Sequence, residues 1–354
     1  MMYTIPQSWN THREPRTPKQ YRGQILTQGL PYNDLFDWYT LFNEALDIGF
    51  GGVFLVGPPL YELKRLINFE SNGKKLEHFH VDLTNVTLTL VDTGENEFVL
   101  KHPAEDITIN VSPLCNDFAG LGCISTMQKN EPIEWIEDWV NYYYKEHGVL
   151  GFVIYDNNSD KYTVTELQER LNALNLDGAI IHVVDWCVPF GPHTPQWDSN
   201  YSQYTQFEHW KYKYCWCAKY AINHDIDEYL VLKDRTIDQL ADELTEKGIG
   251  AIRYMSRNID PFNERLGTSA HQLDKLERRS WDYYYYSDYN NTDNTPVEQR
   301  IFTKWITIPE LAMEYQWRVH DFWGQNDAIK VPISSGIYFA HFYALQSSHK
   351  DKHI

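Results

Sequence analysis

From about residue 119 the chain alternates short apolar runs with amphipathic ones, and this alternation constrains the fold more than any bulk property. Gly122-Cys123-Ile124-Ser125-Thr126-Met127 reads as a strand and Gln128-Lys129-Asn130-Glu131-Pro132 as a loop. Residues 133–147 read as a helix, with Trp135, Ile136, Trp139, Val140 and Tyr143 on one stripe and Gly148 ending it. Residues 149–155 form a buried strand closing on Asp156-Asn157-Asn158-Ser159-Asp160, 164–174 a second helix, and 179–185 a third strand. Such units predict an α/β fold with a mostly parallel, Rossmann-like sheet and right-handed crossovers. Ligands bind such sheets at the carboxyl ends of the strands, where Lys129, Asn130, Glu131, Asp156, Asn157 and Asp185 lie. A helix over about 206–223 is expected next.

That helix leads to His224-Asp225-Ile226-Asp227-Glu228, at the start of an apolar run through Leu232. In an extended segment alternate side chains share a face, so Asp225 and Asp227 would point the same way. A bend there could converge both on one hard cation such as Mn²⁺ or Mg²⁺, which binds through oxygens and leaves ligand positions to phosphate and water. The competing reading is a solvated acidic turn, since the chain has 49 Asp and Glu residues.

Upstream, residues 1–24 carry Pro6, Pro15 and Pro18 and read as an extended arm. A helix-like run at 33–48 precedes a glycine cluster at 49–59, which lacks any phosphate-loop signature and reads as a tight turn feeding a strand. Alternating residues at 78–83, 86–91, 97–100 and 107–111 predict a small antiparallel sheet or sandwich. The divisions expected are the arm 1–24, a β-rich accessory region 25–118, a main domain 119–345 and a polar tail 346–354. His78 and His80 share a strand face, but no third metal ligand accompanies them. The net charge of −18 argues against nonspecific nucleic-acid binding. No run reaches the ~18 apolar residues of a membrane span, and the start lacks a signal-peptide pattern, so the expectation is a soluble, cytoplasmic protein. The five cysteines are an odd number for a disulfide framework, and Cys215-Trp216-Cys217 has no matching pair; buried free thiols are expected.

The stretch CISTMQKNEPIEWIEDWVNYYYKEHGVLGFVIYDNNSD, followed about 65 residues later by INHDIDEYLVL, resembles the nucleotide-binding half of GT-A glycosyltransferases, in particular those similar to glycosyltransferase family 92 and the related family 2-like group. The resemblance covers about residues 119–345 and rests on a K-N-E loop, a W-x-x-[YW] helix, a Y-D-N-x-S strand end and a D-x-D-E-[FY] segment in the family's order. It implies that Asp225 and Asp227 hold a cation and the donor's ribose, that Glu228 orients the loop or touches donor sugar, and that Lys129, Asn130, Glu131, Asp156 and Asn157 flank the nucleobase and ribose. Arg300-Ile301-Phe302-Thr303-Lys304-Trp305-Ile306-Thr307-Ile308-Pro309 and Trp317-Arg318-Val319-His320 resemble its K-x-I-x-x-P and V-H segments, and Ile337 to Tyr343 its terminal H-Y segment. A late histidine then completes the metal shell, His320 first and His341 second, with Lys304 and Arg318 candidates for diphosphate contacts.

The region 250–300 departs most from that pattern. An inverting transferase needs a carboxylate to take the acceptor proton; Asp260, Glu264 and Glu298 are the candidates, with Asp260 placed first. Aromatic residues at 281–286 would stack an acceptor sugar or pack in the core. The reading implied is a metal-dependent transferase moving a sugar, galactose by the family alone, from a UDP-sugar to a glycan hydroxyl. Alternatives are a nucleotidyltransferase on a sugar phosphate and a glycan-binding protein without turnover. A homo-oligomer is allowed through the N-terminal region.

Overall fold

The computed structural model describes residues 2–14, 26–27, 30–31, 35–191, 201–232, 235–259, 285–286, 302–323 and 333–342. The chain divides into two compact units, Met1–Asn116 with Cys187–Tyr214, and Asp117–Trp186 with Cys215–Ile354.

The first unit is built on two antiparallel four-stranded sheets. Its strands are β1 (Glu44–Gly49), β2 (Gly52–Gly57), β3 (Asn68–Ser71), β4 (Lys74–Lys75), β5 (His78–Leu83), β6 (Val86–Asp92), β7 (Glu97–Lys101) and β8 (Ile107–Asn110). One sheet runs β1-β2-β6-β5 and the other β8-β7-β3-β4. Val53, Leu55, Val91, Phe69, Phe98, Leu100 and Ile109 share one core, the inward half of the alternation that period-2 patterning gives a half-buried strand. The expected 33–48 helix is absent among the described residues 35–48, which form a short strand Thr40–Phe42 and then β1. Leu41, Phe42, Ala45 and Leu46 are spaced for either a helix or a strand, and pairing of β1 with β2 decides between them. The glycine cluster is a turn, as expected: Gly49, Phe50 and Gly51 all have positive φ (77°, 54° and 76°), which glycine tolerates at both flanks.

The N-terminal arm is tied down in part. Tyr3–Thr4 pairs with Thr40–Phe42, Trp9 stacks on His102, and the fully buried Arg13 faces Asp37 and the Tyr201 ring. The helix near residue 206 spans Tyr201–Trp210, continues as a π turn Lys211–Cys215, and stops well short of residue 223. Residues Tyr220–Asn223 are instead a strand, because their apolar run is paired on both sides in the second unit's sheet.

The second unit contains β9 (Gly122–Gln128), α1 (Ile133–His147), β10 (Gly151–Asp156), α2 (Val164–Asn172), β11 (Ile180–Asp185), β12 (Tyr220–Asn223), β13 (Glu228–Leu232), α3 (Ile237–Glu246), β14 (Ala251–Ile259), β15 (Thr303–Thr307), α4 (Pro309–Ala312) and β16 (Ile333–His341). The sheet order is β11-β10-β9-β12-β15-β14-β16-β13, with Tyr285–Tyr286 paired to β14. β11, β10, β9 and β12 are parallel, whereas β15 is antiparallel to both neighbours and β13 is antiparallel to β16. The sheet is therefore mixed rather than mostly parallel. The parallel half is the part whose sequence alternates strand and helix; the other half is assembled from separate stretches of the chain.

α1 follows from its sequence. Ile136, Trp139, Val140 and Tyr143 recur at helical spacing and are buried. The helix ends on Gly148 at φ 66°, a left-handed cap at little cost for a residue without Cβ. α2 and α3 each open with a threonine capping box, Thr163 with Glu166 and Thr236 with Gln239. Cys123 and Cys215 are buried free thiols, Cys115 and Cys217 are half-buried, and Cys187 is exposed.

Candidate active site

The acidic segment is a turn. Strand β12 stops at Asn223, Ile226 and Asp227 turn, and β13 begins at Glu228 on the far edge of the sheet. The Glu228 N–H donates to Asp225 O at 3.0 Å, and the Asp225 N–H donates to a Glu228 carboxylate oxygen at 2.9 Å. Asp225 and Asp227 therefore do not share a strand face: Asp227 is buried, while the Asp225 side chain is 40% exposed. Asp, like Asn, stabilises such a turn by engaging nearby backbone groups, and here Glu228 reinforces it.

The fold brings two distant residues to this turn. β13 lies antiparallel to β16 with Glu228 opposite His341, so His341 arrives as a cross-strand neighbour. One donor atom each from Asp227, Glu228 and His341 lies within 4.8 Å of the others, and all three side chains are buried. His341 Nε2 is 3.4 Å from Asp227 Oδ2. From β15 the Lys304 ammonium, with no exposed surface, reaches Asp225 Oδ2 at 2.9 Å and Glu228 Oε2 at 3.0 Å. Burial pushes the Glu228 carboxyl up to about 7; Lys304 opposes the shift, and the charges of Asp225 and Asp227 add to it. Burial works the other way on Lys304, but the Asp225 and Glu228 carboxylates outweigh it and raise its pKa. Two carboxylates and an imidazole could hold a divalent transition-metal ion such as Mn²⁺.

His320 lies outside this cluster. Its Nδ1 donates to Thr303 O at 2.7 Å, and the Thr303 hydroxyl donates back to His320 O. Its ring stacks on Phe302, whose edge meets His341. Arg318 pairs with Asp321 at 3.1 Å.

Beneath the turn is a buried polar network that sequence reading missed. The Tyr143 hydroxyl donates to Glu228 O at 2.9 Å and accepts from the Leu230 N–H at 3.0 Å. Its single proton being spent, it accepts from His224 Nδ1, and His224 Nε2 accepts from the Tyr254 hydroxyl at 2.7 Å. Burial first, then Lys304, holds His224 well below its ordinary pKa, so the ring is neutral. Tyr143 sat on the helix stripe and His224 beside the acids; nothing in their spacing linked them.

The strand-end residues form a second cluster. Gln128, Asp156 and Asp185 stand in register at the ends of β9, β10 and β11. Gln128 Nε2 donates to Asp156 Oδ2 at 2.5 Å, and the Ser159 N–H donates to Asp156 Oδ1 at 2.9 Å. Asn130, at φ 59°, takes the Asp160 and Lys161 N–H groups on its side-chain oxygen. Asn157 Nδ2 donates to Trp186 O. These contacts lock the two loops together, the turn role open to Asn and Asp in such places. Glu131 is buried beside them, Lys129 is half-buried and Asp185 exposed. Asp260, Glu264 and Glu298 lie outside the described residues.

The strand-end loops, acidic turn, Lys304 and His341 all fall within residues 121–348, and that span matches the model of glycosyltransferase family 92. The chain belongs to glycosyltransferase family 92. No curated protein matches it. As a family 92 glycosyltransferase it acts between a sugar donor and an acceptor, and in this member Asp227 and Glu228 meet His341 where β12 gives way to β13. None of its described helices is long and apolar enough to cross a membrane.

Proposed function

We propose that this family 92 member has a GT-A type domain and moves a sugar, galactose as the first donor to try, from a UDP-sugar to a glycan hydroxyl with inversion. What carries the reading is the convergence of Asp227 in the turn, Glu228 at the start of β13 and His341 at the end of β16, with Asp225 at the open side of the turn. Asp227 and His341 would hold Mn²⁺ or Mg²⁺, with Asp225 or Glu228 beside them and His320 the weaker alternative. The cation would stabilise charge on the departing diphosphate as a Lewis acid. The chain's own residues fix the acids: Tyr143 and Lys304 hold Glu228, and the Phe342 N–H just past β16 donates to the Asp227 carbonyl. Lys129, Glu131, Asn157 and Asp185 would meet the nucleoside at the neighbouring strand ends. A carboxylate among Asp260, Glu264 and Glu298 would take the acceptor proton. The N-terminal β unit would serve acceptor binding or self-association, and the five free thiols fit a cytoplasmic setting.

The test is a thermal-shift panel of sugar nucleotides with and without Mn²⁺, since a ligand specific for the native state raises the melting temperature. A UDP-dependent shift that needs Mn²⁺ and disappears in Asp227→Ala supports the donor site; no shift with any nucleotide refutes it. Release of UDP rather than pyrophosphate separates sugar transfer from nucleotidyl transfer.

A further inference from the structure

The acidic turn carries its own cation. Lys304 enters from β15, is wholly buried, and divides its ammonium between Asp225 at 2.9 Å and Glu228 at 3.0 Å, while Glu228 also clusters with Asp227 and His341, one ligand atom of each lying within 4.8 Å of the others. A fixed positive charge this close to a cation's ligands has opposite effects on the two ligands of the site. It repels a free divalent ion and competes for Asp225 and Glu228, and it attracts a diphosphate. Once the ion arrives bearing phosphate, the repulsion is offset and a freed carboxylate can turn to the metal.

We propose that Lys304 is a positioning residue that couples the cation to the nucleotide, keeping affinity for the bare ion low and making ion and diphosphate bind together. This rests on the donor site proposed above. Because such coupling is reciprocal, it is readable in binding alone, as the factor by which UDP tightens Mn²⁺ and Mn²⁺ tightens UDP.

The experiment is Mn²⁺ titration by electron paramagnetic resonance, with and without UDP, at a pH above the ordinary carboxylate and imidazole range. In the wild type, UDP should tighten Mn²⁺ binding at least about tenfold. In Lys304→Met, Mn²⁺ alone should bind about tenfold tighter and the gain from UDP should shrink by a similar factor. The double variant Lys304→Met/Glu228→Gln removes both halves of the ion pair and so avoids a stranded buried charge. If the single variant does not fold, the double variant should still lose about tenfold of the UDP gain. A folded Lys304 variant with unchanged coupling overturns the inference. A wild type that binds Mn²⁺ and UDP independently overturns it too, while leaving the donor site in place; a wild type that binds neither removes the donor site itself.

Discussion

Each unit contains a cluster of carboxylate, histidine and lysine, and the two are balanced in opposite directions. In the first unit the lone carboxylate of Glu44 receives His209 Nε2 at 2.5 Å and Lys213 Nζ at 3.1 Å. Burial would raise its pKa, but His209, Ser112 and Lys213 overwhelm that and hold it far below the carboxylate range. In the second unit three carboxylates share one ammonium and one histidine, and Glu228 is pushed up to about 7. A carboxylate with a surplus of donors is a clamp, here fastening the segment at His209 and Lys213 to β1. A surplus of carboxylates is the arrangement the proposed Mn²⁺ or Mg²⁺ would need.

The sharpest way to break this contrast is Asp227→Asn. Transfer should fall about 10³-fold, as when a group stabilising a charged transition state is removed, with little change in melting temperature. A large loss of stability with activity retained per folded molecule would make the second cluster a clamp as well. Glu44→Gln should do the reverse, costing about 3 kcal/mol in denaturant unfolding by breaking the contacts with His209 and Lys213, while leaving the UDP-dependent shift intact. His341→Gln should weaken Mn²⁺ binding about 10–100-fold, and His320→Gln much less; equal losses in Mn²⁺ titration would show that both rings reach the ion.

The smallest effect separates the clusters by pH. A carboxyl whose folded pKa is depressed, as for Glu44, lends stability that is present above its unfolded value and lost as pH falls through the acid range. Glu228, raised to about 7, binds its proton more tightly folded than unfolded, so its contribution falls as pH rises from the ordinary carboxylate value to about 7. Chemical unfolding across pH should show Glu44→Gln flattening the acid side and Glu228→Gln flattening the neutral side. If both variants flatten the same side, the clusters do not differ in kind.

Much of the scaffold was legible in the sequence because its period was unambiguous. The 133–147 helix appears with those bounds, and the strands at 122, 151 and 180 fall within two residues of expectation. The errors came where apolar spacing suits either element, at 33–48 and 206–223, and partner strands settled the matter. For the site, the acids were visible as a motif, and Lys304, His320 and His341 as a family pattern. Which histidine stands beside Asp227, and that Lys304 is locked to Asp225 and Glu228, could not be read off.

By itself, then, the sequence determined what local forces decide: the period of a buried stripe, a glycine cap, turns where Asp and Asn satisfy the backbone, and a family resemblance carried by contiguous motifs. The tertiary structure alone decided the mixed sheet order, the seating of 201–214 with the N-terminal unit, and the meeting of Asp227 with His341 and of Glu228 with Lys304. Those pairs are separated by 114 and 76 residues in the numbering; the first follows from the register that sets Glu228 opposite His341, the second from Lys304 reaching Glu228 from β15, with two strands lying between β15 and β13. Register is set by pairing across the whole sheet, which no local stretch of chain encodes.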